Sequence, residues 1–519
     1  MNAEKIEDKH NSELEVYAVS STSEVESETG LKKGLKSRHI GMIAIGGIIG
    51  PGLISSLGIY IQSGGQAALL IGYVVVGILA FCCMQAVGEM TTMFPGGGFS
   101  LHANRFCSKS FADIISLNYY IAWVCVAASE YNTLSSIMTF YTENVPIYGW
   151  ILIFWVFFLS FQLLGVDSYG EAEYWLALVK IIGLTAFYIF ALIYMCGGVK
   201  GTPAFGFQYW KNPGAITHGF KGVATVFIMC SSSYVGIEAI AITAAETKNP
   251  TKSIPSAIKK TLIRIVYIYV CLAFFYGVTV SSNDPMLNNK DRALKSPMTI
   301  AIVNAGWTNA GYLVNTFILI CGLSAINSSL YIASRTLLQL ARDGIAPKIF
   351  SKTSRRGVPV AAVLATNALA LISLMNVSVG ASVVYGYITN LSGVSTFLVW
   401  AGISLTHIRF RQGWIKQGKS LDELIFRDRF YPYTSYLGLF GNIFFALVQG
   451  WSTIYPFRAS NFVVAYILIP VSILAYIILK IKFKTKFIKL DDMDFEEGRS
   501  AVIESASSDQ VVKSRGLGF

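Results

Sequence analysis

Charge is what this sequence has least of. Asp, Glu, Lys and Arg together make up 14% of its 519 residues, where a soluble protein carries roughly a quarter. A chain that is also 53% hydrophobic cannot clothe a globule with polar side chains, and the class expected is an all-α membrane protein. Other absences narrow the function. No phosphate-binding loop, HExxH pair or nucleophile elbow is present, which argues against an ATP-driven pump, a zinc hydrolase and a serine hydrolase. The eight cysteines fall mostly inside or beside apolar runs, and none shares a metal-ligand spacing with the five histidines. Small buried hydrophobes are expected there, with no metal and no cofactor. The first 38 residues are polar and rich in Ser and Glu, so a disordered tail is expected at 1–38 rather than a cleavable signal peptide.

Long apolar runs fill the rest. About 20 such residues cross a bilayer as a helix. Ile40 to Gly88 holds two spans, parted by the polar stretch Gln62 to Gln66, and Gly357 to Ile408 holds two more, parted near Asn376 to Ser382. Single spans fit Ile115 to Tyr141, Ile147 to Val166, Tyr174 to Gly197, Gly222 to Thr247, Ser256 to Val280, Gly311 to Leu340, Tyr433 to Tyr455 and Phe462 to Leu479. The total expected is about twelve transmembrane helices.

The formal charge of +11 does not point to nucleic acid, because Lys and Arg gather in alternate loops. Lys32 to Arg38, Lys248 to Arg264, Arg342 to Arg356, Arg409 to Arg429 and Lys480 to Lys489 hold most of them. The positive-inside rule places these loops and both termini in the cytoplasm. An even number of spans agrees with that orientation.

Two spans are interrupted. The first carries "GGIIGPG", Gly46 to Gly52, with four glycines and Pro51, and the sixth reads "CSSSYVGIE", with Ser231, Ser232, Ser233, Tyr234, Val235 and Gly236 ahead of Glu238. Glycine and proline weaken a helix, and clustered serines compete for its backbone bonds. Freed backbone groups find no water in hydrocarbon, so such a break is tolerated only inside protein or along a cavity. Matching breaks five spans apart suggest two inverted five-helix repeats with a site between them, half-helix N-termini facing an anion and freed carbonyls facing a cation. An α-amino acid carries both charges on one carbon.

These residues resemble the amino acid/polyamine/organocation transporters, and among them the fungal amino-acid permeases, most of all the broad-specificity, low-affinity general permeases. The resemblance spans about Gly34 to Lys489 and rests on "GGIIGPG", "AVGEM", "YGEAEYWLALVKIIG", "GIEAIAITAAETKNPTKSIPSAIKK" and "SAINSSLYIASRTL". It implies two inverted five-helix repeats (39–200 and 201–412), two C-terminal helices (413–482) and a cytoplasmic tail (483–519). It further implies secondary active import of amino acids, usually by proton symport at the plasma membrane. In the first break, alongside Gly46 and Gly47, it assigns the substrate carboxylate to Gly50 and Gly52, and the amino group to the carbonyl of Ile48. In the second, the carbonyls of Ser232 and Val235 complete the amino site, and Tyr234 gates it. Many relatives have Ser or Thr at the place of Pro51, which has neither hydroxyl nor N–H to offer.

Ionisable groups within spans are functional hypotheses by default. Lys180, deep in span five, is expected to carry the coupling proton; the resemblance supports this, since a lysine stands here in some proton-coupled relatives. Glu130 in span three is assigned to the substrate pocket or the proton path, and Glu238 to the proton path or to tying span six to its neighbours. Glu89, Glu246 and Arg335 read as contacts near cytoplasmic ends. Asn327 and Ser328, with Thr389 and Asn390, are candidates for the side-chain pocket. The competing reading is a permease-like amino-acid sensor that signals without transport, for which the short plain tails offer little.

Overall fold

The computed structural model describes residues 39, 42, 49–96, 98–244, 250–288, 296–375, 381–454, 457, 459–497 and 499. Among the described residues no strand occurs. The C-terminal part of the first expected span is α1 (Pro51–Ser55) running into α2 (Leu57–Gly64), and after it come α3 (Gln66–Met93), α4 (Gly98–Phe106), α5 (Lys109–Tyr141), α6 (Ile147–Gln162) and α7 (Val166–Met195). The next group comprises α8 (Gly219–Ser232), α9 (Ile240–Thr243), α10 (Pro250–Arg264), α11 (Cys271–Thr279), α12 (Pro297–Asn304), α13 (Ala310–Arg342), α14 (Val360–Ala370) and α15 (Ala381–Lys416). It ends with α16 (Tyr433–Val448), α17 (Ala459–Tyr466) and α18 (Leu468–Phe483).

Six stretches are long and apolar enough to cross a membrane: Gln66–Met93, Lys109–Tyr141, Ser168–Met195, Ser253–Thr279, Ala310–Arg342 and Gly386–Lys416. Helices α17 and α18 pass together as one span bent by 43°, and α6, α8, α14 and α16 are shorter apolar helices. The short α12 lies between the seventh and eighth expected spans, where eight residues are too few to register as a crossing.

Burial orders these helices from the inside out. Helix α5 packs along both α13 and α15, and 72% and 83% of the apolar windows of α13 and α15 are buried, against 33% for α7. The outer position of α7 is written in its periodicity. Trp175, Val179, Ile182, Ile189 and Ile193 are exposed along one stripe, while Glu173, Ala177, Lys180, Leu184, Phe187 and Ala191 are buried along the opposite one. A spacing of three and four returns a side chain to the same face.

Two polar assemblies join neighbouring helix ends. Glu89 of α3 meets Arg411 of α15, whose Nη2 donates at 2.7 Å, while His407 Nε2 lies 3.2 Å from its other oxygen and the Asp428 amide donates at 2.7 Å. All four residues are buried. The second assembly departs from the plain tail expected at 483–519. The Ile488 amide donates to the carbonyl of Cys107 at 2.9 Å, and the Gln417 amide reaches the carbonyls of Leu490 and Met493 at 3.0 and 2.8 Å. Met493 and Phe495 are buried against Phe106, Phe410 and Trp414. Sequence reading passed over this strap because its apolar residues are few and set among acids.

Candidate functional site

Both interruptions open onto one small cavity. Its volume is about 90 Å³ and its wall includes Gly50, Gly52, Leu53, Ser56 and Tyr60 from the first break and its helix, and Ser233 and Val235 from the second. One water needs at least about 10–15 Å³ of such space, so the cavity has room for a small polar solute. Helix α1 begins here. Gly50 has extended backbone ahead of Pro51 at the first helical position, where proline's fixed φ suits the helix and its missing N–H costs no intrahelical bond. Gly52 accepts the Ser56 amide at 2.9 Å.

The second break is a turn between α8 and α9. Gly236 has φ of 98°, a left-handed conformation that glycine adopts without steric cost. Its amide donates to Glu238 Oε1 at 3.1 Å, and the other carboxylate oxygen receives Trp400 Nε1 from α15 at 2.9 Å. Glu238 therefore holds the turn closed against a central helix. The Ser233 hydroxyl lies 2.9 Å from Tyr73 Oη.

The third wall is α5, with Trp123, Val126, Ser129 and Glu130, and the fourth is α13, with Ala325, Ser328 and Ser329; Ser392 of α15 completes it. A methyl group built on Gly50 would lie 2.9 Å from Glu130 Oε1, so this carboxyl group and the first break are in direct register. Among the described lining residues Glu130 is the carboxylate, the other polar groups being hydroxyls, an indole and the Cys125 thiol.

Residues 39–491 match the family described as Amino acid permease. The chain belongs to that family. It is similar to the "General amino acid permease AGP3" of Saccharomyces cerevisiae, 51% identical over 492 residues covering 94% of this chain and 88% of that one. The "General amino-acid permease GAP1" of the same yeast is 36% identical over 95% of this chain and 84% of its own, and its "Basic amino-acid permease" is 35% identical over 93% and 87%. The protein is thus an integral, multi-pass membrane permease and not an enzyme.

Within the permease the expected site residues divide. Gly50, Gly52, Glu130, Ser233, Val235 and Ser328 line the cavity, with Pro51 between two of them. Gly46, Gly47, Ile48 and Glu246 lie outside the described residues, as do the side chains of Ser232 and Thr389. Tyr234 stands apart from that wall. Its ring is fully buried and tilted by 34° against that of Tyr269, with centroids 4.1 Å apart, and its hydroxyl donates to the Tyr73 carbonyl at 2.7 Å. The turn directs its hydroxyl toward α3. Asn327 accepts Gln162 Nε2 at 2.7 Å on its side-chain oxygen, and Ser231 is buried and does not line the cavity. Arg335 stacks on Tyr331 at 3.8 Å, which in turn stacks on Tyr169 at 3.9 Å.

Lys180 is fully buried and donates to Ser324 Oγ at 2.6 Å, on the helix that supplies Ala325 to the cavity. Its Nζ lies 4.0 Å from Glu173 Oε1, a residue that sequence reading left unassigned. The signal was present, since 173 and 180 are two helical turns apart and share a face. The same logic would have drawn Trp123 and Val126 to the Glu130 face of α5.

Proposed function

We propose that this permease imports amino acids by proton symport, with broad specificity, through alternating access around the cavity between the two breaks. The arrangement proposed has twelve spans: two inverted five-helix repeats at 39–200 and 201–412, two further helices at 413–482, both termini cytoplasmic and the plasma membrane as address. The observation that carries the reading is the convergence of both backbone interruptions and Glu130 on one cavity. In the bound state the amides of the first break hold the carboxylate, and the carbonyls of both breaks hold the ammonium. Glu130 supplies the negative charge that offsets that ammonium in a site with little water. Hydroxyls and small residues around the side-chain space set few demands on shape or charge, which supports broad selection. Names of relatives span general and basic amino-acid permeases, in keeping with a shared core and a variable side-chain wall.

Purified protein in vesicles, given a panel of labelled amino acids with and without an inward pH gradient, tests the proposal. Saturable accumulation of several chemically different amino acids, driven by the gradient, is expected. Binding without any uptake would reassign the chain as a receptor.

A further inference from the structure

The buried pair on α7 is bridged by a hydroxyl. Lys180 Nζ donates to Ser324 Oγ at 2.6 Å, and that hydroxyl donates onward to Glu173 Oε1. Lys180, Ser324 and Glu173 are each fully buried. The two bonds therefore form a short chain that runs from the amine through the hydroxyl to the carboxylate. Among the other groups facing it, α13 contributes the Cys321 thiol, Asn327 and Ser328, α5 contributes Glu130, and α10 contributes Arg264.

We infer that the coupling proton is held by this Glu173–Ser324–Lys180 relay and lodges on Glu173, with Lys180 as the partner that keeps the empty relay neutral. This deepens the symport reading above and rests on it. In the unloaded relay an ammonium faces a carboxylate and the net charge is zero. One proton from the outer solution converts the carboxylate to a carboxylic acid, the ammonium remains, and the net charge becomes +1; release to the cytoplasm reverses it. A second route conserves charge. The ammonium passes a proton to the Ser324 oxygen while the Ser324 proton passes to Glu173, leaving a neutral amine, a hydroxyl and a carboxylic acid, with nothing exchanged with solvent. Lys180 alone has no such neutral resting form that keeps its proton. In a buried site a net charge is costly and a balanced pair much less so, so the relay makes the unloaded and loaded states differ by one full charge next to the broken first span. The cavity residues Ala325, Ser328 and Ser329 follow Ser324 on the same helix within five positions, which gives substrate and proton a common wall.

Glu173→Gln fixes the neutral form of that side chain and so imitates the loaded relay. Reconstituted wild type and Glu173→Gln are compared in two assays: counterflow of labelled substrate at equal pH on both sides, and accumulation driven by an inward pH gradient. Wild type is expected to do both. Glu173→Gln is expected to retain counterflow, with a rate that no longer changes with pH, and to lose gradient-driven accumulation at least tenfold. Accumulation by Glu173→Gln at the wild-type level would overturn the assignment and leave the proton on Lys180 alone. Wild type that exchanges substrate but ignores the gradient would overturn the symport reading, and this inference with it, which is a distinct result. Should Glu173→Gln fail to fold, infrared difference spectra of wild type on acidification decide the matter. The expected carbonyl band of a buried carboxylic acid must shift in Ser324→Ala, which removes its bridging hydroxyl; a band that ignores that substitution rules Glu173 out.

Discussion

Gly50 shows how much one missing side chain matters. A Cβ there would come within 2.9 Å of Glu130 Oε1 and 3.7 Å of the Ala325 methyl, closer to the oxygen than real Cβ contacts come. In Gly50→Ala either the carboxyl group moves or α1 does, and overpacking of this kind costs about 1–3 kcal/mol. Substrate affinity is expected to fall about tenfold or more, since 1.4 kcal/mol is a factor of ten, with unchanged yield of folded protein; equilibrium binding in detergent measures it. His102, on the α4 linker outside the spans, makes a second residue-scale case. It is fully buried and bonds the Phe94 carbonyl at 2.9 Å, and burial pushes its pKa down to about 4. The unfolded chain takes up a proton near pH 6.5 that the folded one refuses until about pH 4. Its contribution is thus whole above pH 6.5 and is lost as pH falls toward 4, by roughly 3 kcal/mol at most. Thermal unfolding should weaken across that window in wild type, and His102→Gln should flatten the slope.

Helices are joined here by buried charge as well as by apolar contact. Glu89 on α3 answers Arg411 and His407 on α15 and the backbone at Asp428 ahead of α16. Replacing one member leaves another charge buried without its counter-ion, which costs about 3–5 kcal/mol. Arg411→Met is therefore expected to lower the melting temperature sharply, whereas the double change Glu89→Met with Arg411→Met should recover much of the loss. Equal destabilisation by the single and double variants would show that the ion pair itself is not the coupling. Sequence reading placed Glu89 near a cytoplasmic end and among basic loops. It could not rank Arg411 above its neighbours Arg409 and Lys416, because the choice depends on which face of α15 turns toward α3. For Glu238 the reading held both a tie and a proton role; its two oxygens are taken by the Gly236 amide and the Trp400 indole, a bonding pattern that anchors the turn.

Across the whole molecule the strap at 484–497 links the loop ahead of α5 to the end of α15 and the loop beyond it. Lys416 pairs with Asp491 at 2.7 Å, Lys419 with Glu496, and Arg499 with Glu423 at 2.7 Å, while Phe495 fills the space between Phe106 and Trp414. Exposed ion pairs contribute little, so the aromatic plug dominates. Phe495→Ala is expected to cost about 3–5 kcal/mol of local packing and to release the segment to protease, whereas Lys416→Ala should leave it protected; limited proteolysis in detergent separates the two. The sequence by itself determined where the long apolar stretches lie, which loops are basic, and where glycine, proline and serine cluster within two of those stretches. Each of these is local, since in lipid a segment must satisfy its own backbone and any failure to do so shows in its composition. Tertiary structure alone decided what meets at the breaks. That Glu130 abuts Gly50, that Ser324 bridges Glu173 to Lys180, and that Tyr234 turns toward Tyr73 and Tyr269 follow from rotations and offsets between neighbouring helices. Those are set by side-chain packing across whole interfaces, and no single span encodes the face its neighbour will present.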